Sequence, residues 1–399
     1  AIHPDTQEWL MNTGRTVFAQ LMDFLPHKTF DRLVHRYAGA YRVRSFSCWD
    51  QFLCLAFAQL TGCRSLRTIE LALNALPSRL YHLGIRSRVS RSTLADANES
   101  RDWRIFADFG RELIRITRHA YAHSAFALEL DRAAYVLDST TVELCLSLFP
   151  WAHLKRSEAA IKMHTLLDLQ SRIPTVIRIL PGRVHDVQFL DQIPVEPGAI
   201  YIMDRAYLDA QRLFRLHQQA AFFVIRARHN LRYQRCQSAD TASATGVQCD
   251  QTIRFKIYRT QRAYPDQLRR VRFFDAESHR QFTFLTNNFV LPPLTIAHLY
   301  KHRWQVEIFF KWIKSHLLIE RFLGTSLNAV KIQIWVAITV YVLAALIKQH
   351  LHLDRSLYEI LQILSVTLFE KVPLIEVLTK STMPDEKSPH CKQLKLFDF

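Results

Sequence analysis

The sequence predicts an α/β (α+β) fold, in which a mixed β-sheet with flanking helices lies between helical regions at both ends of the chain. Apolar residues recur at helical spacing in the first third of the chain and again in its last quarter. Between them, short runs rich in β-branched and aromatic residues are separated by turn residues. A strict two-residue alternation follows these runs, which is typical of antiparallel strands.

Composition points to a folded protein with a polyanionic partner. The chain has 399 residues, of which 49% are hydrophobic and 22% charged, enough for two or three domains. Its 52 Lys and Arg exceed its 36 Asp and Glu, so the net charge is +16 and the pI about 9.7. This balance favours nucleic acid over a membrane. Seven Cys without a CxxC pair indicate reduced thiols in a cytosolic compartment.

Residues 1–128 are predicted to be a helical region that binds DNA. The clearest helix starts at a capping box of Ser47 and Asp50 and carries apolar residues at helical spacing to Leu60. A second helix is expected over residues 65–76, because a proline follows it.

A third helix is expected to open near Ser92, where Thr93 and Asp96 fit another capping box. The segment before it is basic and suits a DNA-docking element. A helical bundle with a solvated basic loop is the alternative, since no helix-turn-helix signature is present. The cations of this segment are Arg79, Arg86, Arg88 and Arg91.

The central strands are predicted from AAYVLDSTTVELCL, KMHTLLDLQ, PTVIRILPG, AIYIMD and AFFVIRAR, with helical spacing before the last of them. Two of these strands end on an acid, at Asp138 and at Asp204. An unpaired buried carboxylate is costly, so both side chains are expected at a sheet edge, hydrated or bound to a ligand. Asp131, Asp168 and Asp186 lie nearby in the sequence and are rival candidates.

The segment from about residue 230 to 295 is predicted to be a small antiparallel sheet with one buried and one basic face. Ile253, Phe255 and Ile257 alternate with polar residues, and the same pattern continues to Phe284. Residues 236–251 hold few large apolar side chains and are expected to form a mobile loop.

The C-terminal part is predicted to be helical again. Residues 334–347 are fourteen apolar residues, short of the roughly twenty that cross a membrane, so a buried core helix is expected. A weaker helix is expected over residues 357–368, and the tail from Thr382 is expected to fray.

The most informative stretch is residues 298–317, HLYKHRWQVEIFFKWIKSHL. As one continuous helix it gathers four reactive side chains in an arc of roughly 60° beside an apolar stripe. A salt-bridged surface helix is the alternative interpretation of the same pattern. The four side chains are Tyr300, Arg303, Glu307 and Lys314.

Asp138, Asp204 and Glu307 are candidate ligands of two divalent ions if the fold brings them together. Hard carboxylate oxygens are the ligands that Mg²⁺ prefers. Two such ions can activate an attacking oxygen and stabilise a leaving oxygen in phosphodiester chemistry, without a general base of tuned pKa.

These residues make the chain similar to the DDE transposases of the insertion sequence 4 family, bacterial mobile elements with an RNase H-like catalytic core. The similarity extends over nearly the whole chain, including FAQLMDFLP and SFSCWDQFLC near the N-terminus. The pattern Y-x2-R-x3-E-x6-K is filled by Tyr300, Arg303, Glu307 and Lys314, with Asp138 in LDSTT and Asp204 in MDRAY.

The resemblance implies a division of the chain. Residues 129–229 and 296–350 would form the RNase H-like core, 230–295 a β-rich insertion between the second and third acids, and 351–399 a helical region and tail. The insertion of family members holds a flipped base on an aromatic ring while a hairpin forms at the transposon end. No Trp lies between Asp204 and Arg303, so a hairpin step stays open. The rings that could stack instead are Tyr233, Tyr258 and Tyr264.

The resemblance also implies roles for the site residues. Asp138, Asp204 and Glu307 would bind two Mg²⁺ ions, with Mn²⁺ as a substitute. Arg303 and Lys314 would hold phosphates, and Tyr300 would contact the terminal phosphate backbone. Four more residues in similar surroundings are expected only to support or pack: His185, Asp186, Arg205 and Trp304.

The function expected from the sequence is DNA transposition in the bacterial cytoplasm, at the nucleoid. A homodimer would bind double-stranded DNA at terminal inverted repeats, nick it, and transfer the freed 3′ end to target DNA, by cut-and-paste. The alternative is a DNA-binding protein that has lost catalysis and only occupies the element ends. A host nuclease with the same core is disfavoured by the matching N-terminal region and insertion.

Overall fold

The computed structural model describes residues 14–41, 43–75, 80–85, 88–121, 132–155, 158–240, 246–316 and 322–379. The helices are α1 Val17–Asp23, α2 His27–Arg36, α3 Cys48–Thr61, α4 Leu66–Asn74, α5 Arg91–Ser100, α6 Trp103–Ala120, α7 Ala210–Gln218, α8 Tyr258–Ala263, α9 Pro293–Lys301, α10 Trp304–His316, α11 Leu327–His350, α12 Leu357–Thr367 and α13 Leu374–Thr379. The strands are β1 Ala134–Leu144, β2 His153–Lys155, β3 Glu158–Asp168, β4 Pro174–Pro181, β5 Ile200–Met203, β6 Phe222–Arg226, β7 Tyr233–Ala239, β8 Val247–Phe255, β9 Leu268–Asp275 and β10 Arg280–Thr286.

The three predicted N-terminal helices begin near their predicted starts, but one of the two predicted capping boxes is wrong. The capping box of Ser47 and Asp50 opens α3, as expected. Helix α4 ends at Asn74, and its predicted end at residue 76 lies outside the described residues. The capping box predicted at Thr93 is wrong, because α5 already begins at Arg91, after Ser90, which makes no side-chain cap. Of the basic segment, Arg79 and Arg86 lie outside the described residues.

The core sheet has the order β4-β3-β1-β5-β6. Strand β3 is antiparallel to β1 and to β4, whereas β5 is parallel to both β1 and β6. Three antiparallel strands followed by two parallel ones form the RNase H-like arrangement, so the predicted fold class is confirmed. The carboxyl ends of parallel β1, β5 and β6 meet at one edge of the sheet, where side chains from separate segments can converge.

Asp138 does not end its strand, contrary to the prediction. Strand β1 continues to Leu144. Its parallel pairing with β5 stops at Leu137, opposite Met203, while its antiparallel pairing with β3 goes on. Asp138 therefore lies where β1 leaves its parallel neighbour, level with Asp204, which does follow the last residue of β5.

The predicted insertion extends the core sheet. Strand β10 pairs antiparallel with β6, and β9, β8 and β7 follow in that order, so ten strands of the described residues form a single sheet. The mobile loop predicted over residues 236–251 is wrong for its described part, which lies in β7 and β8. Strand pairing satisfies its backbone although its side chains are mostly polar.

The predicted basic face of the insertion is also wrong in part. Arg269 and Arg270 are buried, at 6% and 5% exposure. Each has a polar partner from β8: Asp250 binds Arg269 at 2.7 Å, and Gln251 accepts from Arg270 at 2.9 Å. Ile257 was expected to be buried but is 49% exposed, because β8 ends two residues before it.

Helix α11 is the centre of the helical layer. It is longer than the fourteen residues predicted, and it packs against α6, α3, α5 and α12. Among the described residues it is the one helix long and apolar enough to cross a membrane, and 94% of its most apolar stretch is buried in the protein. This burial agrees with the predicted core helix. The predicted tail lies outside the described residues.

The continuous helix predicted over residues 298–317 is wrong. Helix α9 ends at Lys301 and α10 begins at Trp304. Hydrogen bonds from Arg303 N to Tyr300 O at 3.0 Å and from Val306 N to Arg303 O at 3.2 Å span three residues, so the chain tightens there. The apolar stripe is nevertheless buried in its described part, while Leu317 lies outside the described residues.

Candidate active site

Three acids from separate segments meet at the carboxyl edge of the parallel strands. Asp138 lies on β1, Asp204 follows β5, and Glu307 is in the first turn of α10, which packs against β1. The side chain of Asp138 is 18% exposed and that of Glu307 56% exposed. The structure thus brings together the three acids that the sequence singled out.

The Arg303 guanidinium joins two of these acids. Its Nη1 donates to Oδ2 of Asp138 at 2.8 Å, and its Nη2 donates to Oε1 of Glu307. The Arg303 side chain is 19% exposed. A largely buried cation between two carboxylates offsets their mutual repulsion and holds them near each other.

Tyr300 joins the third acid to the same group. Its hydroxyl donates to Oδ1 of Asp204 at 3.2 Å. Burial raises the pKa of Tyr300 to about 12, so the hydroxyl keeps its proton at neutral pH. The ring packs 4.7 Å from that of Phe284, and the Arg303 guanidinium lies 5.7 Å from the ring centroid. The packed ring therefore gives the hydroxyl a fixed position.

Asp138 has an unusually high pKa for an aspartate. Burial raises its pKa to about 6, and Arg303 and the backbone N–H of Ser139 only partly oppose this. Repulsion by Glu307 and Asp204 adds to the effect of burial. A bound cation would offset both the cost of burying the charged carboxylate and its repulsion by the other two acids.

The acids fit a divalent cation by their chemistry. Their oxygens are hard ligands, and those of Asp138 and Glu307 both contact the Arg303 guanidinium. Within the ranges that the structure describes, no three Asp, Glu, His or Cys side chains are close enough to hold one ion. In this structure Asp138 and Glu307 are instead bridged by the Arg303 guanidinium.

Two other predicted contacts are with DNA and stay predictions, but the structure places their side chains. Lys314 is partly buried on α10 and forms no ion pair with a described residue, so nothing joins it to the acids. Of the three tyrosines expected to hold a base, Tyr264 is fully buried, and Tyr233 is partly buried under Arg270. Only Tyr258, at 76% exposure, offers an open ring.

The structure adds a basic rim beside the acids, which we define as Arg205, Arg226 and Arg228. Of these three, the sequence singled out only Arg205, as a supporting or packing residue. Arg205 follows Asp204 directly, and Arg226 ends β6, one residue past the position paired with Met203. Arg228 donates to the carbonyl of Leu208 at 3.5 Å. None of the three forms an ion pair with another described residue. A signal existed, since Arg205 follows the predicted strand AIYIMD, and Arg226 and Arg228 lie at the end of the predicted strand AFFVIRAR.

A second group, which we call the Asp186 network, consists of Asp186, Lys162 and Ser139. Of these three, the sequence singled out only Asp186. Oδ1 of Asp186 accepts from Oγ of Ser139 at 2.8 Å and from Nζ of Lys162 at 3.1 Å. The fully buried His164 lies 3.9 Å from the same oxygen, and burial lowers its pKa to about 4. The sequence signal was Lys162 and His164 at alternate positions of an otherwise apolar strand.

Comparison with protein families identifies the chain. A family model described as a transposase DDE domain matches residues 129–343, more than half of the chain. The chain belongs to the DDE transposase family. The predicted family is therefore confirmed, and so is the predicted enzyme class of DNA nicking and strand transfer. A second family model, described only as a domain of unknown function, matches residues 13–86.

Individual relatives of this DDE transposase are also named as transposases. A putative transposase, y4zB, of Sinorhizobium fredii is 32% identical over 75% of this chain and 83% of its own length. A probable transposase for insertion sequence element IS5377 of Geobacillus stearothermophilus is 32% identical over 54% of this chain and 57% of its own. A putative transposase for insertion sequence element IS4SA of Synechocystis is 24% identical over 76% and 86%.

Among solved structures, the chain resembles the piggyBac transposase of a synaptic complex with hairpin DNA. The TM-score is 0.42 at 10% identity, over 95% of this chain and 82% of that one. At this TM-score and identity, the likeness supports no conclusion about this chain. DDE transposases generally use divalent metal ions and act on DNA, and both statements extend to this member.

Proposed function

We propose that this transposase cleaves the terminal inverted repeats of a bacterial insertion sequence and joins the freed ends to target DNA. The observation that carries the proposal is the Arg303 guanidinium between Asp138 and Glu307, with Asp204 joined through Tyr300. Segments far apart in the chain bring these five side chains together at a partly buried site, which a solvated helix surface alone would not require.

In this proposal Asp138, Asp204 and Glu307 hold two Mg²⁺ ions, which Mn²⁺ can replace. When bound, such ions activate the attacking oxygen and stabilise the leaving oxygen of the phosphodiester. Asp138 must be ionised to take part, and its raised pKa of about 6 leaves it ionised at neutral pH. Its backbone hydrogen bond from Ser139, at 2.8 Å, orients the carboxylate beforehand.

Arg303 and Tyr300 have two successive tasks in the proposal. Without DNA, Arg303 offsets the charge of Asp138 and Glu307. With DNA, the planar guanidinium binds a phosphate, for which its fork of donors is suited. Tyr300 orients Asp204 and presents its hydroxyl to the same backbone. Lys314 would add a further phosphate contact on α10.

The basic rim provides a surface for the DNA beside the acids. Arg205 follows Asp204 after β5, Arg226 is the last residue of β6, and Arg228 comes two residues later. Against the larger effect of burial, the charge of Arg226 lowers the pKa of Tyr300. Phosphate contacts of this kind position a duplex without reading its sequence. Recognition of the terminal repeats is assigned in this proposal to the helical residues 1–128, as a homodimer that brings two ends together for cut-and-paste transfer.

The test is cleavage of a duplex that carries the DNA flanking the coding sequence, with terminal inverted repeats, in Mg²⁺. Wild type is expected to nick the repeat end, and Glu307→Gln is expected to lower the nicking rate at least about 100-fold while still binding the duplex. Glu112→Gln is the matched control, because Glu112 also pairs with an Arg one turn away, on α6 far from the acids in sequence.

Two outcomes contradict the proposal in different ways. A wild-type protein that binds the repeats but never nicks them supports the alternative, a DNA-binding protein that only occupies the ends. Nicking by Glu307→Gln at the wild-type rate would instead show that the site has been assigned to the wrong residues.

A further inference from the structure

Asp138 is held by strand pairing on one side only. Beyond Leu137, β1 has lost β5 and pairs with β3 alone among the described strands. One oxygen of Asp138 accepts from the backbone N–H of Ser139 at 2.8 Å. The direction of that N–H depends on the contacts that fix the β1 backbone just after Leu137. The orientation of the Asp138 carboxylate depends on the same contacts, because it accepts this hydrogen bond.

The Asp186 network lies on the opposite face of the sheet from Asp138. Successive side chains of a strand point to opposite faces, so Ser139 shares a face with Leu137, and Asp138 shares the other face with Val136. Leu137 belongs to the hydrophobic cluster around α7, and Val136 to the cluster that includes α10. Asp186 therefore binds Ser139 from behind the strand, where β5 no longer supports it.

Lys162 holds Asp186 in this place. Its ammonium group donates to Asp186 at 3.1 Å and to the carbonyl of Val184 at 3.2 Å, and the two charged side chains are only 20% and 25% exposed. Because its charge is already neutralised by Lys162, Asp186 is not a further candidate ligand for the metal ions. A largely buried ion pair adds little to stability but fixes geometry, which is the role best attested for such pairs.

The turn that carries Asp186 can reach the sheet only because of a glycine. The backbone N–H of Gly182 donates to the carbonyl of Ala160 at 2.8 Å. A Cβ at Gly182 would lie 2.9 Å from the same carbonyl oxygen, which is closer than real side chains allow. Residues 182–186 therefore lie against β3, which contacts them through Ala160 and Lys162.

We infer that Asp186 is a positioning residue for the transposase reaction, which orients Asp138 toward the catalytic cation through Ser139. The inference rests on the proposed function, since it assumes that Asp138 is a metal ligand. Groups that orient a metal ligand from behind typically contribute a factor of 10 to 100 in metal affinity. Asp186 acts through one intervening residue, so the lower end of that range applies.

The experiment measures Mn²⁺ binding to the full-length, DNA-free protein by titration calorimetry. Asp186→Asn is expected to raise the Mn²⁺ dissociation constant about ten-fold, and Ser139→Ala to raise it similarly. The double variant should be no weaker than Asp186→Asn alone, because both changes break the same link. Asp191→Asn is the matched control: it removes an acid from the same turn, paired there with Arg212 and Arg215, and should leave the affinity unchanged.

Three results would decide against the inference. Wild-type affinity in Asp186→Asn, or an equal loss in Asp191→Asn, overturns the positioning role alone. If Asp186→Asn does not fold, Ser139→Ala carries the test, since it removes only a hydroxyl. Wild-type affinity in Asp138→Asn would overturn the proposed metal site, and the inference with it.

Discussion

Asp138 is a carboxylate on which burial and a neighbouring cation act in opposite directions. Burial raises its pKa to about 6, whereas Arg303, at 2.8 Å, favours the charged form. The result is a side chain that is ionised at neutral pH only at a cost to the folded state. Residues at functional sites often carry such a cost, because binding of the ligand relieves it.

The pKa of Asp138 predicts a pH dependence of stability in the metal-free protein. The folded chain keeps this proton between pH 4 and 6, where the unfolded chain has lost it, so the free energy of unfolding falls as pH rises through that window. The loss is about 3 kcal/mol by pH 7 for a shift from 3.8 to about 6. The free energy of unfolding of Asp138→Asn, measured relative to that of wild type by urea unfolding, should therefore increase between pH 4 and pH 7.

The comparison with Asp138→Asn is needed because another buried group acts in the opposite direction. Burial lowers the pKa of His164 from 6.5 to about 4, so the unfolded chain binds this proton more readily than the folded chain. The free energy of unfolding therefore decreases as the pH falls below about 6.5. Both proteins contain His164, so the difference between their unfolding free energies isolates Asp138. A difference that stays constant between pH 4 and 7 would contradict the prediction.

The contact of α6 with α11 fixes how the N-terminal helices sit on the rest of the molecule. The two helices cross at Gly110, where an added Cβ would lie 3.0 Å from Thr339 Oγ1 and from a ring carbon of Trp335. The absence of a side chain lets the helix axes approach. The predicted boundary at residue 128 falls outside the described residues, and one hydrophobic cluster extends from α1 to α13.

Gly110→Leu is expected to destabilise the whole protein by about 3 kcal/mol, because the leucine would have to displace Trp335 or separate the helices. The measurement is the midpoint of urea unfolding. Arg115→Leu introduces the same side chain at an exposed position of α6 and removes only a surface ion pair, so its effect should stay below about 1 kcal/mol. Equal effects of the two variants would rule out a tight α6–α11 contact.

The whole molecule is strongly basic, and part of its charge lies beside the acids. The net charge is +16, and the three arginines of the basic rim have no acidic partner among the described residues. A duplex drawn to the protein by its overall field would thus meet uncompensated cations next to the candidate active site.

Replacing Arg205, Arg226 and Arg228 by Gln should weaken binding to any duplex and make it less dependent on salt. Removing one cation that binds a phosphate lowers the slope of log affinity against log salt by about one, so the slope of the triple variant should fall by up to about three. Fluorescence anisotropy over a salt series measures this slope. Arg215→Gln is the control, because Arg215 is already paired with Asp191, and an equal change of slope there would refute a specific role for the rim.

The candidate site could be predicted only in part. The three acids were found because two come directly after apolar runs of the sequence and one lies in a recognisable pattern. Their proposed roles stay predictions until cleavage is measured. Lys162, Ser139, Arg226 and Arg228 were not found, because their importance depends on neighbours far away in the chain. The helix break at Arg303 was missed as well, since no Gly or Pro marks it.

The sequence by itself determined the class of fold, the order of the core elements and the family, because periodicity and local motifs are properties of neighbouring residues. The tertiary structure alone decided that β6 and β10 join the insertion to the core sheet, and that Arg269 and Arg270 are buried. It also decided that Arg303 lies between Asp138 and Glu307. Pairing of strands and burial of charge depend on partners brought together only by folding, so no pattern of adjacent residues specifies them.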